Sequence, residues 1–130
     1  MTSLIQYFKN KGLAFNAYSS SIYVGAPSNV FDNKYFSSNY NAPGQWWQVS
    51  FSQPVTITSY TFKCDPSYVD RPYSWKITSS MDNETWKDIE TRTKDVGGNE
   101  EIFSLNKFAS CKQFRITLRP GFVNFTKNIF

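Results

Sequence analysis

From Trp47 onward the stretch GQWWQVSFSQPVTITSY, residues 44–60, alternates apolar and polar side chains almost one by one. A period of two marks an extended chain with one face buried, because successive side chains of a strand point to opposite sides. The pattern returns at short intervals along the chain. Alternating runs fall at about 46–51, 55–63, 74–80, 86–91, 100–105 and 113–119, after a strand entry at 13–21. Between them lie SQP, DPSYVDRP, MDNE, TKDVGGN and NKFASCK, all rich in turn-forming residues. Such a rhythm predicts an all-β sandwich or barrel, in a single domain over residues 1–130. Leu is scarce while Tyr, Phe, Thr, Ser and Asn are abundant, the bias that strands and polar turns require. One helix is expected, SLIQYFKN at 3–10, with Leu4, Ile5 and Phe8 on one face and Gly12 as its stop.

The alternation names the core. Trp47, Val49 and Phe51 share a face, as do Trp75 with Ile77, and Phe114 with Ile116 and Leu118. Adjacent residues of a strand face opposite ways, so Trp46 does not join Trp47 inside; it is expected under a loop or over the barrel end. Asp82-Asn83 predicts a tight turn between the Trp75 and Trp86 strands, and Pro54 a strand end where its missing N–H costs nothing.

The same residues argue against several functions. With no histidine the chain has no ordinary Ser/His or Cys/His nucleophile and no imidazole metal ligand. Asp82, Glu84, Asp88 and Glu90 cluster in sequence, but in and beside a turn, where they serve solubility and turn-making. VGGN at 96–99 reads as a hairpin turn rather than a phosphate loop. The net charge of +4 is spread thinly, without a basic stripe, so nucleic acid is not an expected partner. No apolar run reaches the ~20 residues of a membrane span, and the N-terminus lacks a secretion signal. If Met1 is the native start, the expectation is a cytoplasmic chain with Cys64 and Cys111 as reduced, partly buried thiols. The sequons at Asn83 and Asn124 matter only on the secretory route.

The segment PSNVFDNKYFSSNYNAPGQWWQVSFSQPVTITSYTF, followed by DRPYSWKITSSMDNETWKDIE, resembles the discoidin domain, also called the coagulation factor 5/8 type C domain. The likeness runs from about residue 19 to 118 and rests on Trp-x-Gln-Val, Pro-Val-x-Ile-x-x-Tyr, Arg-Pro-x-Ser-Trp and Ser-x-Asp-x-x-x-Trp. It implies a galactose-binding-like jelly-roll β-sandwich that binds through loops at one end. It also implies a non-catalytic binding or adhesion module, with sugars, phospholipid surfaces or proteins as ligands.

Three loops are then expected at one end: 34–44, 65–72 and 119–125. Their ligand-contact candidates are Tyr35, Phe36 and Tyr40; Tyr68 and Arg71; and Arg119, Phe122 and Asn124. Aromatics beside Arg and Asn suit stacking on a sugar ring with hydrogen bonds to its hydroxyls, and equally suit a membrane interface or a protein contact. A carbohydrate ligand is the leading expectation, an intracellular protein-interaction or assembly role the alternative, and membrane-surface binding the third. Sugar-binding relatives commonly pair a His with an Arg, and that His is missing. The resemblance further implies a structural calcium ion, for which Asp32, Ser37 and Asn29 supply oxygens without the Glu that relatives add from the last strand. Discoidin domains also close with a strand after Phe-Arg-Ile; the sequence is expected to lack it, leaving an edge open to pairing with another chain.

Overall fold

The computed structural model describes residues 4–20, 28, 36–37, 45–62, 74–93, 101–118 and 124–125. In chain order these form helix α1 (Leu4–Lys11), β1 (Phe15–Ser19), β2 (Phe36–Ser37), β3 (Trp46–Phe62), β4 (Ser74–Ser80), β5 (Trp86–Thr93), β6 (Glu101–Leu118) and β7 (Asn124–Phe125). One antiparallel sheet has the order β1-β3-β6-β4-β5, and β2 pairs with β7 in a second.

The helix ends as its sequence dictates. Gly12 adopts φ 68°, a left-handed conformation that costs glycine nothing. Its N–H reaches the Lys9 carbonyl at 3.2 Å and the Leu13 N–H reaches Phe8 at 2.9 Å, which satisfies carbonyls the last turn would otherwise leave bare. Lys9 and Lys11 sit at the negative end of the helix dipole. Ile5 and Phe8 are 1% exposed, and the Phe8 ring meets Phe51 at 5.0 Å and Phe15 at 6.3 Å. The helix is therefore a plug over the core beside β1 and β3.

Two expected turns are absent. Residues 46–51 and 55–62 belong to the single strand β3, and NKFASCK lies inside the single strand β6. Their register slips twice: Ser50 faces Gln113 but Val55 faces Cys111, and Ile57 faces Ala109 but Ser59 faces Ser104. Residues 51–54 thus oppose residue 112, and residue 58 opposes residues 105–108. Bulges take up the extra residues and bend the ribbon without reversing it. Pro54 falls in the first of them, where a missing ladder donor is tolerated.

The bending is large. Tyr60 pairs with Phe103, eleven positions before Phe114 on the same strand, a separation of about 36 Å if the strand were straight. The Tyr60 and Phe114 rings nevertheless stand 5.9 Å apart, and Phe103 meets Trp75 at 5.1 Å. The ribbon has curled over, so its far half packs on the sheet made by its near half. Trp47, Val49, Phe51, Trp75, Ile77, Phe114 and Ile116 on the sheet, with Ile57, Tyr60, Phe103 and Leu105 on the overlying half, form one core. Both large indoles are fully enclosed; burying each contributes about 3 kcal/mol by area.

A polar cluster ties β5 to the curled ribbon. The Trp75 indole N–H donates to the Tyr60 hydroxyl at 2.7 Å, and that hydroxyl donates to Glu90 Oε2 at 3.1 Å. Arg92 pairs with Glu90, donates to the Ser104 carbonyl, and lies 5.4 Å from the Phe103 ring centre. Among the described residues, the Gln113 side-chain oxygen is buried without a hydrogen-bond partner, against the general demand of burial. Cys111 is free and buried, and desolvation pushes its thiol up to about 12.

Candidate binding end of the sandwich

The register sets the anchors of the three candidate loops side by side. Trp46, which follows loop 34–44, faces Thr117; Trp75, which follows loop 65–72, faces Leu118, after which loop 119–125 begins. The end of β1 joins them, since Ser19 pairs with Trp47. Two of the loops are also linked directly: Phe36 faces Phe125 and Ser37 faces Asn124 in the β2–β7 pair. Phe36, Ser37 and Asn124 are therefore neighbours by backbone. Tyr35, Tyr40, Tyr68, Arg71, Arg119 and Phe122 lie outside the described residues, as do Asp32 and Asn29. The last described element, β7, takes its partner from β2.

Where the chain leaves β1 and where it enters β3, it is bonded to itself. The Ser20 N–H donates to the Trp46 carbonyl at 3.0 Å, and the Trp46 N–H donates to the Ser20 hydroxyl oxygen at 3.0 Å. The same hydroxyl donates to Gln45 Oε1 at 2.7 Å, and Gln45 is buried.

Trp46 does not join Trp47 in the core. It is half-buried on the outer face of the sheet, where the Arg115 guanidinium lies 3.9 Å from its ring centre and 4.2 Å from that of Trp86. The cation lies over both indoles, a position favoured by the negative faces of the rings. Arg115 Nε and Nη2 donate to Gln48 Oε1 at 3.0 and 2.8 Å, and Gln48 Nε2 donates to Ser50 Oγ and Asn83 Oδ1, both at 3.1 Å. Burial lowers the Arg115 pKa from its ordinary value, and the guanidinium stays charged at any ordinary pH. Sequence reasoning passed over Arg115. The available signal was its place between core residues Phe114 and Ile116, in step with the outward positions Trp46 and Gln48.

The clustered carboxylates do no common chemistry. Asp82 Oδ1 accepts the N–H groups of Glu84 and Thr85 at 2.9 and 2.7 Å and the Ser80 hydroxyl at 3.0 Å, closing the β4–β5 turn. Asn83 takes φ 64° within that turn. The backbone N–H donors hold the Asp82 carboxyl down at about 2. Asp88 pairs with Lys76 at 3.1 Å on the surface, while Glu90 is turned inward against Arg92. A cavity of about 290 Å³ beside this turn is lined by Ser79, Ser80, Met81, Asp82, Thr85, Lys87 and Ser110, with the polar groups of Ser80 and Asp82 already engaged. Among the described residues no three Cys, Asp or Glu side chains are grouped to hold a metal ion, and no helix is long and apolar enough to cross a membrane.

The family model of the F5/8 type C domain matches residues 14–125. Among curated protein sequences none matches. Solved structures share the fold at low identity. The Clostridium perfringens domain CpGH89CBM32-5, in complex with GalNAc-β-1,3-galactose, superposes with a TM-score of 0.75 at 16% identity, covering 89% of this chain and 94% of that one. The family 32 carbohydrate-binding module of Clostridium perfringens NanJ, in complex with galactose, gives 0.71 at 13%, covering 88% and 90%. Chitosan-binding module 1 from a Paenibacillus chitosanase/glucanase gives 0.70 at 20%, covering 88% and 93%.

Proposed function

This chain belongs to the F5/8 type C domain family, and from that premise we propose that it is a non-catalytic carbohydrate-binding module. The observation that carries the reading is the convergence of β1, β3, β4 and β6 termini on one end, so that the candidate loops spring from adjacent strand ends. Structural neighbours that bind galactose, GalNAc-β-1,3-galactose and chitosan support a glycan ligand. In this reading Tyr35, Phe36, Tyr40 and Tyr68 stack on the sugar, while Arg71, Arg119 and Asn124 bond its hydroxyls. The test is binding of galactose, GalNAc-β-1,3-galactose and chitosan oligosaccharides to the wild type and to Arg71→Ala. Binding lost in the variant supports the reading; no binding to any glycan across a broad array overturns it.

A second reading is a protein-contact module, favoured by Ile102 and Phe108, which stand 70% and 64% exposed on β6. A partner retained through purification and indifferent to free sugar selects it. Calcium belongs to the proposal as a structural ion of Asp32, Asn29 and Ser37, a set with one carboxylate and several neutral oxygens. Added calcium is then expected to raise the melting temperature and chelator to lower it, with Asp32→Ala indifferent to both. A wild-type curve unmoved by either addition removes the ion.

A further inference from the structure

The cavity beside the β4–β5 turn lies away from the candidate loops. Trp75 faces Leu118 at the loop end, and Ser79 faces Phe114 beside the cavity, about 13 Å farther along the paired strands. Ser79 is in step with Trp75 and Ile77 on the inner face of β4. It pairs directly with Lys87 of β5, so both side chains leave the sheet on the same side.

The turn consumes only part of the lining. The Ser80 hydroxyl and Asp82 Oδ1 are bonded within it. Ser79 is 3% exposed, yet its hydroxyl bonds to no described residue, and the same holds for the Ser110 hydroxyl and the Lys87 ammonium. A hydroxyl on so enclosed a residue ordinarily has a partner, and the cavity is where one would sit.

We propose that this cavity is a second binding site, taking a hexose-sized sugar that carries one negative charge as a carboxylate or a sulfate ester. Its volume of about 290 Å³ is that of a small ligand pocket. Lys87 meets the anionic oxygens, while Ser79 and Ser110 exchange hydrogen bonds with them or with ring hydroxyls. Met81, half-exposed at the rim, offers a soft apolar surface to the ring carbons. The Asp82 carboxylate remains in the lining, so a doubly charged phosphate is disfavoured. The site uses none of the candidate loops.

The test is a titration of the isotope-labelled chain with galacturonic acid, galactose 6-sulfate, galactose 6-phosphate and galactose at pH 7 and constant ionic strength, read by amide chemical shifts. Saturable shifts at Ser79, Met81, Lys87 and Ser110 are expected with one or both monoanions, and which of them binds separates carboxylate from sulfate ester. Galactose and galactose 6-phosphate should bind there about ten-fold more weakly. Lys87→Gln, at an exposed position, should lose about ten-fold in affinity for the bound monoanion, and Lys87→Arg should retain it. Shifts confined to the loop end at Ser19, Trp46 and Leu118 overturn the site. So do equal shifts from sodium acetate, or a Lys87→Gln variant that binds as the wild type does.

Discussion

Trp46 and Trp47 are neighbours in sequence and opposites in duty. Trp47 is enclosed in the core, whereas Trp46 stands on the outer face as one wall of the Arg115 stack. Truncation therefore separates them. Trp47→Ala and Trp75→Ala should each cost about 3–5 kcal/mol in chemical denaturation, from lost contacts and the cavity left behind. Trp46→Ala should cost about 1–2 kcal/mol, since it loses a cation–π contact and only partial burial. Equal small losses at all three positions would contradict this assignment of faces. Cys111 gives a second residue-scale expectation. Its folded pKa of about 12 stands above the ordinary 9.0, so its contribution is complete below pH 9 and is lost as pH rises from there toward 12. Tyr60, raised by burial, adds to the same alkaline loss. Urea midpoints measured from pH 8 to 11 should fall, and Cys111→Ala should flatten the earlier part of that fall.

At the scale of elements, the turn after β4 is controlled by Asp82. Its carboxyl is held near 2 against an ordinary 3.8, so its ionised form stabilises the fold above about pH 4, and that contribution disappears as pH falls toward 2. The stability of wild type should drop across this window more steeply than that of Asp82→Asn, as followed by thermal melts at stepped pH; parallel curves would contradict the turn's role. This turn was legible in the sequence because Asp-Asn has few uses other than left-handed turns. Strand β4 was legible for a similar reason: Trp75 and Ile77 alternate with polar residues, and proline and a turn bound the run. The continuity of β3 and β6 was not. Gln-Pro and Asn-Lys serve a bulge as well as a turn, and only the register with a distant strand decides between them. Arg115 was hidden for a related reason, because its partners Trp46, Gln48 and Trp86 come from two other strands. The edge strand β5 carries a register shift between Ile77 and Thr78 of its partner and a run of charged residues, features that discourage further strand addition.

For the molecule as a whole, the neighbours at 13–20% identity share the sandwich while differing in the sugars they are known by. The common requirement is a buried face pattern, which many sequences meet; ligand choice depends on loop side chains, which the pattern leaves free. That is why the fold could be read from alternation and the ligand could not.

The curled ribbon has a consequence in time. Because β3 pairs with β6 across the whole of both strands, no part of the main sheet is complete until residues near 50 have met residues near 113. Search for such distant partners is unrewarded until it succeeds, and chains built this way cross a high entropic barrier. Refolding after rapid dilution from denaturant should occur over milliseconds to seconds, with helix α1 gaining no lasting protection before the sheet forms. Nor should either layer survive alone, since each contains half of both β3 and β6. A newly made chain has no protected sheet until β6 is available, so its earlier strands depend for that time on dilution or on a holding partner.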